Sequence, residues 1–251
     1  MEALSINLLS FLACGFLSGL LIGAVGIGGV ILVPLLTFTL GVDIYQSIAA
    51  SIFAFVVSGL VGTFIYAKRK VIAWRDIKFI WIGAAPSTLC GAMLLSNVSK
   101  ELLTLLIAFL ALGSAMREFL KQQNKSHDSA IVISRSKLIF IGAFTGFFSA
   151  LSGTGGPLIL IPLMLWSSVP ITIAIGLAQS IQLPISVFAT IGNSWSGILN
   201  LSVAIPLATG IAFGTYYGGI WIRGVSTSKI KKGVAIILAA IGIAMTISVL
   251  I

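Results

Sequence analysis

Gly26-Ile27-Gly28-Gly29 and Gly153-Thr154-Gly155-Gly156 are two short glycine turns, and the second begins 127 residues after the first. Each turn interrupts an apolar stretch that would otherwise continue as helix. Each is also followed by an apolar run that contains proline, Val30-Ile31-Leu32-Val33-Pro34 and Pro157-Leu158-Ile159-Leu160-Ile161-Pro162. Paired interruptions of this kind predict a substrate site when they lie inside a membrane.

The composition predicts a protein whose solvent is the lipid bilayer. The 251 residues are 58% hydrophobic and 8% charged, whereas a soluble domain has about 25% charged residues to cover its surface. Most of the apolar stretches approach the roughly 17–25 residues that cross the hydrocarbon core, whereas the runs at 30–41 and 157–168 are shorter. The longer stretches lie near 5–25, 44–67, 77–96, 102–116, 138–151, 171–192, 201–222 and 233–251.

The net charge of +9 comes from basic residues that fall mainly in three clusters between apolar stretches. Because Lys and Arg are enriched in cytoplasmic loops, such clusters indicate orientation rather than a nucleic-acid partner. The predicted protein crosses the cell (inner) membrane several times. If all three clusters are cytoplasmic, both termini lie on the outer side of that membrane. The clusters are Lys68, Arg69, Lys70, Arg75 and Lys78; Arg117, Lys121, Lys125, Arg135 and Lys137; and Arg223, Lys229, Lys231 and Lys232.

If the clusters lie on one side, the chain must cross the membrane an even number of times between them. The stretch 5–41 then begins and ends outside, and 138–168 begins and ends inside. We therefore predict an all-α polytopic membrane protein with two inverted-topology repeats, each a broken Gly/Pro helical hairpin plus three transmembrane helices. The predicted units are a first membrane repeat at 1–120, a cytoplasmic linker at 121–136 and a second membrane repeat at 137–251. Half-length hairpins would place the glycine turns within the bilayer, and full crossings would preserve the parity.

The broken hairpins predict a site for an anion. Irregular backbone at membrane depth must be buried by protein or line a cavity, because unpaired N–H and C=O groups in lipid cost several kcal/mol each. Gly156-Pro157 has the pattern of a helix start, whose free amides and positive dipole end suit an anion. Helix packing and interhelical hydrogen bonding are the alternative roles of the candidate residues. The substrate-binding candidates are Gly26, Gly28, Gly29, Ser51, Gly153, Thr154, Gly155, Gly156, Gln179 and Gln182.

Three prolines are expected to act as hinges or kinks of the broken hairpins: Pro34, Pro157 and Pro162. A proline inside a helix removes one amide and frees the carbonyl four residues earlier. Asp43 with Gln46 has the spacing of a helix N-cap and its N3 partner, which favours capping over proton coupling.

The apolar stretches contain no deeply placed Arg, Lys or His, so the predicted site holds its anion without a formal counter-charge. The sequence also offers no paired acids, metal-ligand cluster or Ser/His arrangement, and we expect neither an enzyme nor a cofactor or metal. The expected partners are a small anionic substrate and the lipid bilayer. A proton or sodium ion is compatible as the coupling ion, and the sequence does not indicate the oligomeric state.

The chain resembles the TauE/SafE sulfite exporter family, also called the toluene sulfonate uptake permease family. The resemblance is carried by Gly19-x-x-x-Gly23-x-x-Gly26-Ile27-Gly28-Gly29 with Pro34, by Gly153-Thr154-Gly155-Gly156-Pro157, and by the basic linker between similar halves. It implies a polytopic transporter of sulfite, sulfonates or related organosulfur anions. We predict a secondary carrier that works by alternating access. The alternatives are an anion channel, a carrier of a non-sulfur organic anion and a membrane scaffold.

Overall fold

The computed structural model describes residues 2–25, 29–119, 133–221 and 227–250, and all regular structure in these ranges is helical. A π-helical turn, Leu35–Thr39, extends α2, and a 3-10 turn, Leu95–Asn97, follows α4. The helices are α1 (Glu2–Val25), α2 (Gly29–Pro34), α3 (Ile44–Lys68), α4 (Trp74–Leu94), α5 (Lys100–Phe119), α6 (Arg135–Ser152), α7 (Pro157–Trp166), α8 (Ile171–Trp195), α9 (Leu201–Trp221) and α10 (Thr227–Leu250).

Five of these helices are long and apolar enough to cross a membrane: α3, α4 with its 3-10 turn, α5, α8 and the part of α10 from Lys232. The predicted all-α class with several membrane-spanning helices is therefore confirmed. The predicted linker at 121–136 lies mostly outside the described residues, but its last two positions belong to α6. Ser134 caps this helix by accepting a hydrogen bond from the Lys137 amide at 3.4 Å.

The predicted cap at Asp43 is confirmed. Its carboxylate accepts a hydrogen bond from the Tyr45 amide at 3.0 Å at the start of α3. The same carboxylate also forms an ion pair with Lys100 at the start of α5. This pair therefore joins the beginnings of two helices at one end of the bundle.

The helices α1 and α9 pack backbone to backbone through glycines. A Cβ atom on Gly15 would lie 2.3 Å from the carbonyl oxygen of Leu207, and one on Gly214 would lie 2.2 Å from that of Phe16. Residue numbers in contact increase together along the two helices, so they run parallel. Small residues permit this close approach between membrane helices.

The helices α4 and α6 form an equivalent parallel pair. A Cβ atom on Gly83 would lie 2.0 Å from the carbonyl oxygen of Ile139, and one on Gly142 would lie 2.1 Å from that of Ile80. Both pairs thus depend on glycine at the point of closest approach, because any side chain there would collide with backbone.

The helices α3 and α8 cross at the centre of the molecule. Within their most apolar 18-residue windows, 56% and 61% of the residues are buried, compared with 28–39% in the other three candidate spans. Gly59 packs against Leu183, and Gly62 against Gln179, so the two helices run in opposite directions.

Basic residues gather at one end of the bundle, called the basic end below. The parallel helices α4 and α6 both begin there, and the Arg135 guanidinium lies 5.3 Å from the centre of the Phe79 ring. The helix α10 packs antiparallel to α5 and so brings Lys232 to the same end. The Asp43–Lys100 ion pair lies at the opposite end, where α3 and α5 begin.

Two short helices return the chain from the glycine turns to the bundle ends. Together α2 and its π-helical turn rise about 16 Å, and α7 rises about 15 Å, whereas α3 and α8 each rise about 37 Å at 1.5 Å per residue. The first short helix leads to the start of α3, and the second leads to the start of α8. The start of α2 at Gly29 and the second glycine turn therefore lie about halfway between the two ends.

Candidate functional site

The second glycine turn is a complete break between α6 and α7. Gly153 ends α6 in the left-handed region with φ +67°, and Gly155 and Gly156 follow with φ +74° and +108°. Gly156 is the N-cap of α7 and Pro157 is its first residue, as the sequence predicts. Glycine is required at these three positions because other residues adopt such φ values only under strain.

Three backbone amides at this break are left unpaired among the described residues. In the described part of the chain, the amides of Gly155, Gly156 and Leu158 donate no backbone hydrogen bond. The next two amides are already paired, because those of Ile159 and Leu160 donate to the Gly156 carbonyl at 3.1 and 3.0 Å. Free amides at the positive end of a helix dipole favour an anion.

The start of α2 meets the second glycine turn. A Cβ atom on Gly29, the first residue of α2, would lie 2.9 Å from the carbonyl oxygen of Thr154. On the other side of the turn, a Cβ atom on Gly153 would lie 2.7 Å from Val33 of α2. The structure therefore brings Gly29 into contact with the second turn. Gly26 and Gly28 lie outside the described residues.

A small cavity lies between the starts of α2 and α7. Its volume of about 10 Å³ is enough for roughly one water molecule. None of the described residues that line it is charged. The lining residues are Ile22, Gly29, Val30, Thr154, Pro157, Leu158 and Gln182.

Gln182 and Thr154 provide the polar side chains of the cavity. The Gln182 carboxamide is 3% exposed and donates from Nε2 to the Ser58 hydroxyl at 2.8 Å, which ties α8 to α3. Its Oε1 atom has no hydrogen-bond partner among the described residues. The Thr154 hydroxyl lies 3.0 Å from the Ser152 hydroxyl, and either group can donate. Both cavity side chains are thus held in place while keeping capacity for a further hydrogen bond.

The other two predicted side-chain donors are buried but do not line this cavity. Gln179 lies one turn before Gln182, and a Cβ atom on Gly62 would lie 2.6 Å from its Oε1. Within the described residues, neither Gln179 Nε2 nor the Ser51 hydroxyl has a hydrogen-bond partner. Gln179 therefore lies at the crossing of α3 and α8.

The three prolines occupy different positions in the short helices. Pro34 ends α2 directly before the π-helical turn Leu35–Thr39, Pro157 begins α7, and Pro162 lies inside α7. Proline leaves the carbonyl four residues earlier without its backbone partner, and at Pro34 the helix continues directly into a π-helical turn. The π-helical turn was not predicted from the sequence.

Phe55 is a neighbour of the site that the sequence analysis did not select. Its side chain is fully buried in α3. A Cβ atom on Gly29 would lie 3.0 Å from its Cζ, and one on Gly155 would lie 2.9 Å from its Cδ2. An apolar residue in an apolar helix carries no local sequence pattern that would mark it as part of a site. The available clue was its spacing, since Phe55 precedes Gln182 by 127 residues, the same interval as the turns.

Comparison with known proteins identifies relatives along nearly the whole chain. The family model described as Sulfite exporter TauE/SafE matches residues 11–245. Probable membrane transporter protein YunE of Bacillus subtilis (strain 168) is 26% identical over 89% of this chain and 93% of its own length. Probable membrane transporter protein MJ0441 of Methanocaldococcus jannaschii is 27% identical, covering 92% of each. No solved structure matches the chain significantly.

Proposed function

This chain belongs to the sulfite exporter TauE/SafE family of membrane transporters, and we propose that it is a secondary carrier of sulfur-containing anions. Sulfite, sulfonates and related organosulfur anions form the proposed substrate class. The observation that carries the proposal is the meeting of two broken hairpins at a cavity beside the free amides of Gly155, Gly156 and Leu158. This is a transport role without catalysis.

The chemistry of the cavity suits an anion that must be released after it is bound. A helix N-terminus carries roughly half a positive charge, and the Thr154 hydroxyl and the Gln182 carboxamide add neutral donors. No Lys, Arg or His is among the described lining residues. An anion is therefore held by dipoles alone, which favours moderate affinity over retention.

Alternating access is supported by the way the helices pair. Exchanging α1–α5 for α6–α10 in order converts the parallel pair α1/α9 into the parallel pair α6/α4, and it maps the antiparallel pairs α3/α8 and α5/α10 onto themselves. Two inverted repeats, at 1–120 and 137–251 with a linker at 121–136, would produce this pattern. Because such repeats can exchange conformations, an outward-facing and an inward-facing state become available around one central cavity.

The basic end is proposed to face the cytoplasm. Basic residues concentrate there, as the positive-inside rule requires, while α1 begins and α10 ends at the opposite end. The protein is then a multi-pass transporter of the cell membrane with its two described terminal helix ends outside.

The test compares alanine variants of two glycines that both have a positive φ. Gly155→Ala adds a methyl group beside the cavity at φ +74°, where it would meet Phe55; Gly41→Ala adds one at φ +65° in open space. In proteoliposomes we expect Gly155→Ala to lower the initial rate of sulfite or sulfonate uptake by about ten-fold or more, because a misplaced donor costs about 1.4 kcal/mol or more. We expect Gly41→Ala to retain nearly the full rate.

Equal uptake by the two variants would contradict the proposed site. Saturable uptake with no unitary currents supports a carrier, whereas large single-channel currents from the reconstituted protein would indicate an anion channel. Imposed proton and sodium gradients then identify the coupling ion, since only the coupled gradient drives accumulation of the anion.

A further inference from the structure

We propose that Phe55 sets the upper size limit of the transported anion, an inference that rests on the proposed function of the cavity between α2 and α7. Phe55 can act only through its size and position, because its side chain carries no hydrogen-bonding group. Its predicted effect is on which anions are carried.

The ring of Phe55 lies against both hairpins at once. The ring edge formed by Cδ2, Cε2 and Cζ faces Gly29, where a Cβ atom would lie 3.0 Å from Cζ, and Gly155, where one would lie 2.9 Å from Cδ2. Gly29 lines the cavity, and Gly155 lies between the lining residues Thr154 and Pro157. The ring therefore packs on the α3 side against both Gly29, a lining residue, and Gly155 of the second turn, directly behind the cavity lining.

The two polar side chains that line the cavity have less freedom to move than the Phe55 ring. Gln182 is hydrogen-bonded to Ser58, and the Thr154 hydroxyl is paired with Ser152. Phe55 is held only by packing, within a buried apolar cluster that also contains the lining residue Ile22. Since the cavity holds roughly one water molecule, a larger guest must displace side chains that line it or lie directly behind the lining. Displacing the Phe55 ring breaks no side-chain hydrogen bond.

Space freed at Phe55 would join the cavity. A Cβ atom on Gly155 would contact both the Phe55 ring and, at 3.4 Å, the Gln182 Nε2 atom, so no other side chain separates the ring from a lining residue at this point. Surrounding structure relaxes only partly around a deleted core side chain. The Phe55→Ala variant should therefore accept anions with a larger substituent.

Under the proposed inverted repeats, the equivalent place in the second half of the chain holds a different residue type. Phe55 is the twelfth residue of α3 counted from Ile44, and Gln182 is the twelfth residue of α8 counted from Ile171. One position thus supplies a carboxamide to the cavity, and the other supplies a ring that excludes volume. This division separates anion binding from size selection.

The experiment measures uptake of sulfite, methanesulfonate and butanesulfonate by the full-length protein in proteoliposomes. For Phe55→Ala, we expect the uptake of butanesulfonate relative to the smallest transported anion to rise by about ten-fold or more, since one methylene in a pocket changes selectivity by about that factor. The control is Leu138→Ala, which also truncates a buried side chain but lies about 21 Å along α6 from Ser152. Its uptake ratio should stay within about two-fold of the wild type.

Each result decides the question. An unchanged ratio in Phe55→Ala, or an equal change in Leu138→Ala, overturns the inference while leaving the proposed function in place. If Phe55→Ala does not yield a monodisperse protein, Phe55→Trp replaces it: a fall in relative butanesulfonate or methanesulfonate uptake supports the size limit, and an unchanged ratio overturns it. A wild type that transports none of the three anions overturns the proposed function and the inference together.

Discussion

At the residue scale, the site depends on a few groups held by contacts that cross between helices. Ser58 of α3 accepts a hydrogen bond from Gln182 of α8, and its own hydroxyl lies 3.3 Å from the Phe55 carbonyl oxygen, to which it donates. These two consecutive hydrogen bonds hold the Gln182 carboxamide at the edge of the cavity. A buried donor that loses its acceptor costs about 1–3 kcal/mol, so the arrangement favours one orientation of Gln182.

Removing the Ser58 hydroxyl should weaken the transport of anions. In Ser58→Ala, the Gln182 Nε2 atom loses its only side-chain acceptor among the described residues, and its carboxamide gains freedom to rotate. We expect the apparent KM for the anion to rise by about five-fold, corresponding to about 1 kcal/mol. Uptake kinetics in proteoliposomes measure this change.

The control for this variant is Ser194→Ala, whose exposed hydroxyl donates to the Thr190 carbonyl of its own helix. Its KM should not change. Additive effects in the double variant Ser58→Ala/Gln182→Ala would show that the two side chains act independently and would contradict the predicted coupling.

At the element scale, glycine determines which helices can pack together. The α4/α6 pair places Gly142 so close to α4 that a Cβ atom would lie 2.1 Å from the Ile80 carbonyl oxygen. No rotamer change relieves such a contact, because both partners are backbone or directly attached to it. The helices would have to separate along their length, which would also move the glycine turn at the end of α6.

The Gly142→Ala variant should therefore be destabilised. We expect about 1–3 kcal/mol of lost stability from overpacking, measured as a lower thermal unfolding temperature in detergent. Gly113→Ala in α5 is the matched control, since a Cβ atom there meets nothing within 4 Å. That change should leave the unfolding temperature equal or slightly higher, because alanine favours helix over glycine. Equal losses in both variants would argue against close packing as the cause.

At the scale of the whole molecule, charge and helix direction agree on two distinct ends. Basic residues lie where α4, α6 and the described part of α10 begin, and the Asp43–Lys100 pair lies where α3 and α5 begin. The cavity is about halfway between these ends. A solute that enters from either side would therefore meet the same site, as alternating access requires.

Thiol labelling tests the orientation of these ends. In a background with Cys14 and Cys90 replaced by alanine, we expect Lys100→Cys to react with a membrane-impermeant maleimide added to intact cells. Arg75→Cys, at the exposed start of α4, should react only after the membrane is permeabilised. The opposite labelling pattern would reverse the proposed topology, and labelling of both positions in intact cells would rule out their separation by the membrane.

The sequence predicts those features that depend on interactions between residues close together along the chain. The membrane class, the helix break at Gly153–Gly156, the cap at Asp43 and the helix start at Pro157 all follow from composition or from neighbours within four residues. Hydrophobic length and local backbone chemistry act along the chain. The sequence by itself therefore determined that these segments are helices and where the second turn lies.

Only the tertiary structure decided which of the predicted donors share a cavity. Gln182 lines it and Gln179, one turn earlier, lies against Gly62, because the crossing of α3 and α8 fixes the rotation of each helix. Phe55 became a neighbour of both turns through the same crossing. Apart from the contact of Phe55 with Gly29, these contacts join residues a hundred or more positions apart, and their formation depends on packing among several helices at once. No local sequence pattern encodes that packing.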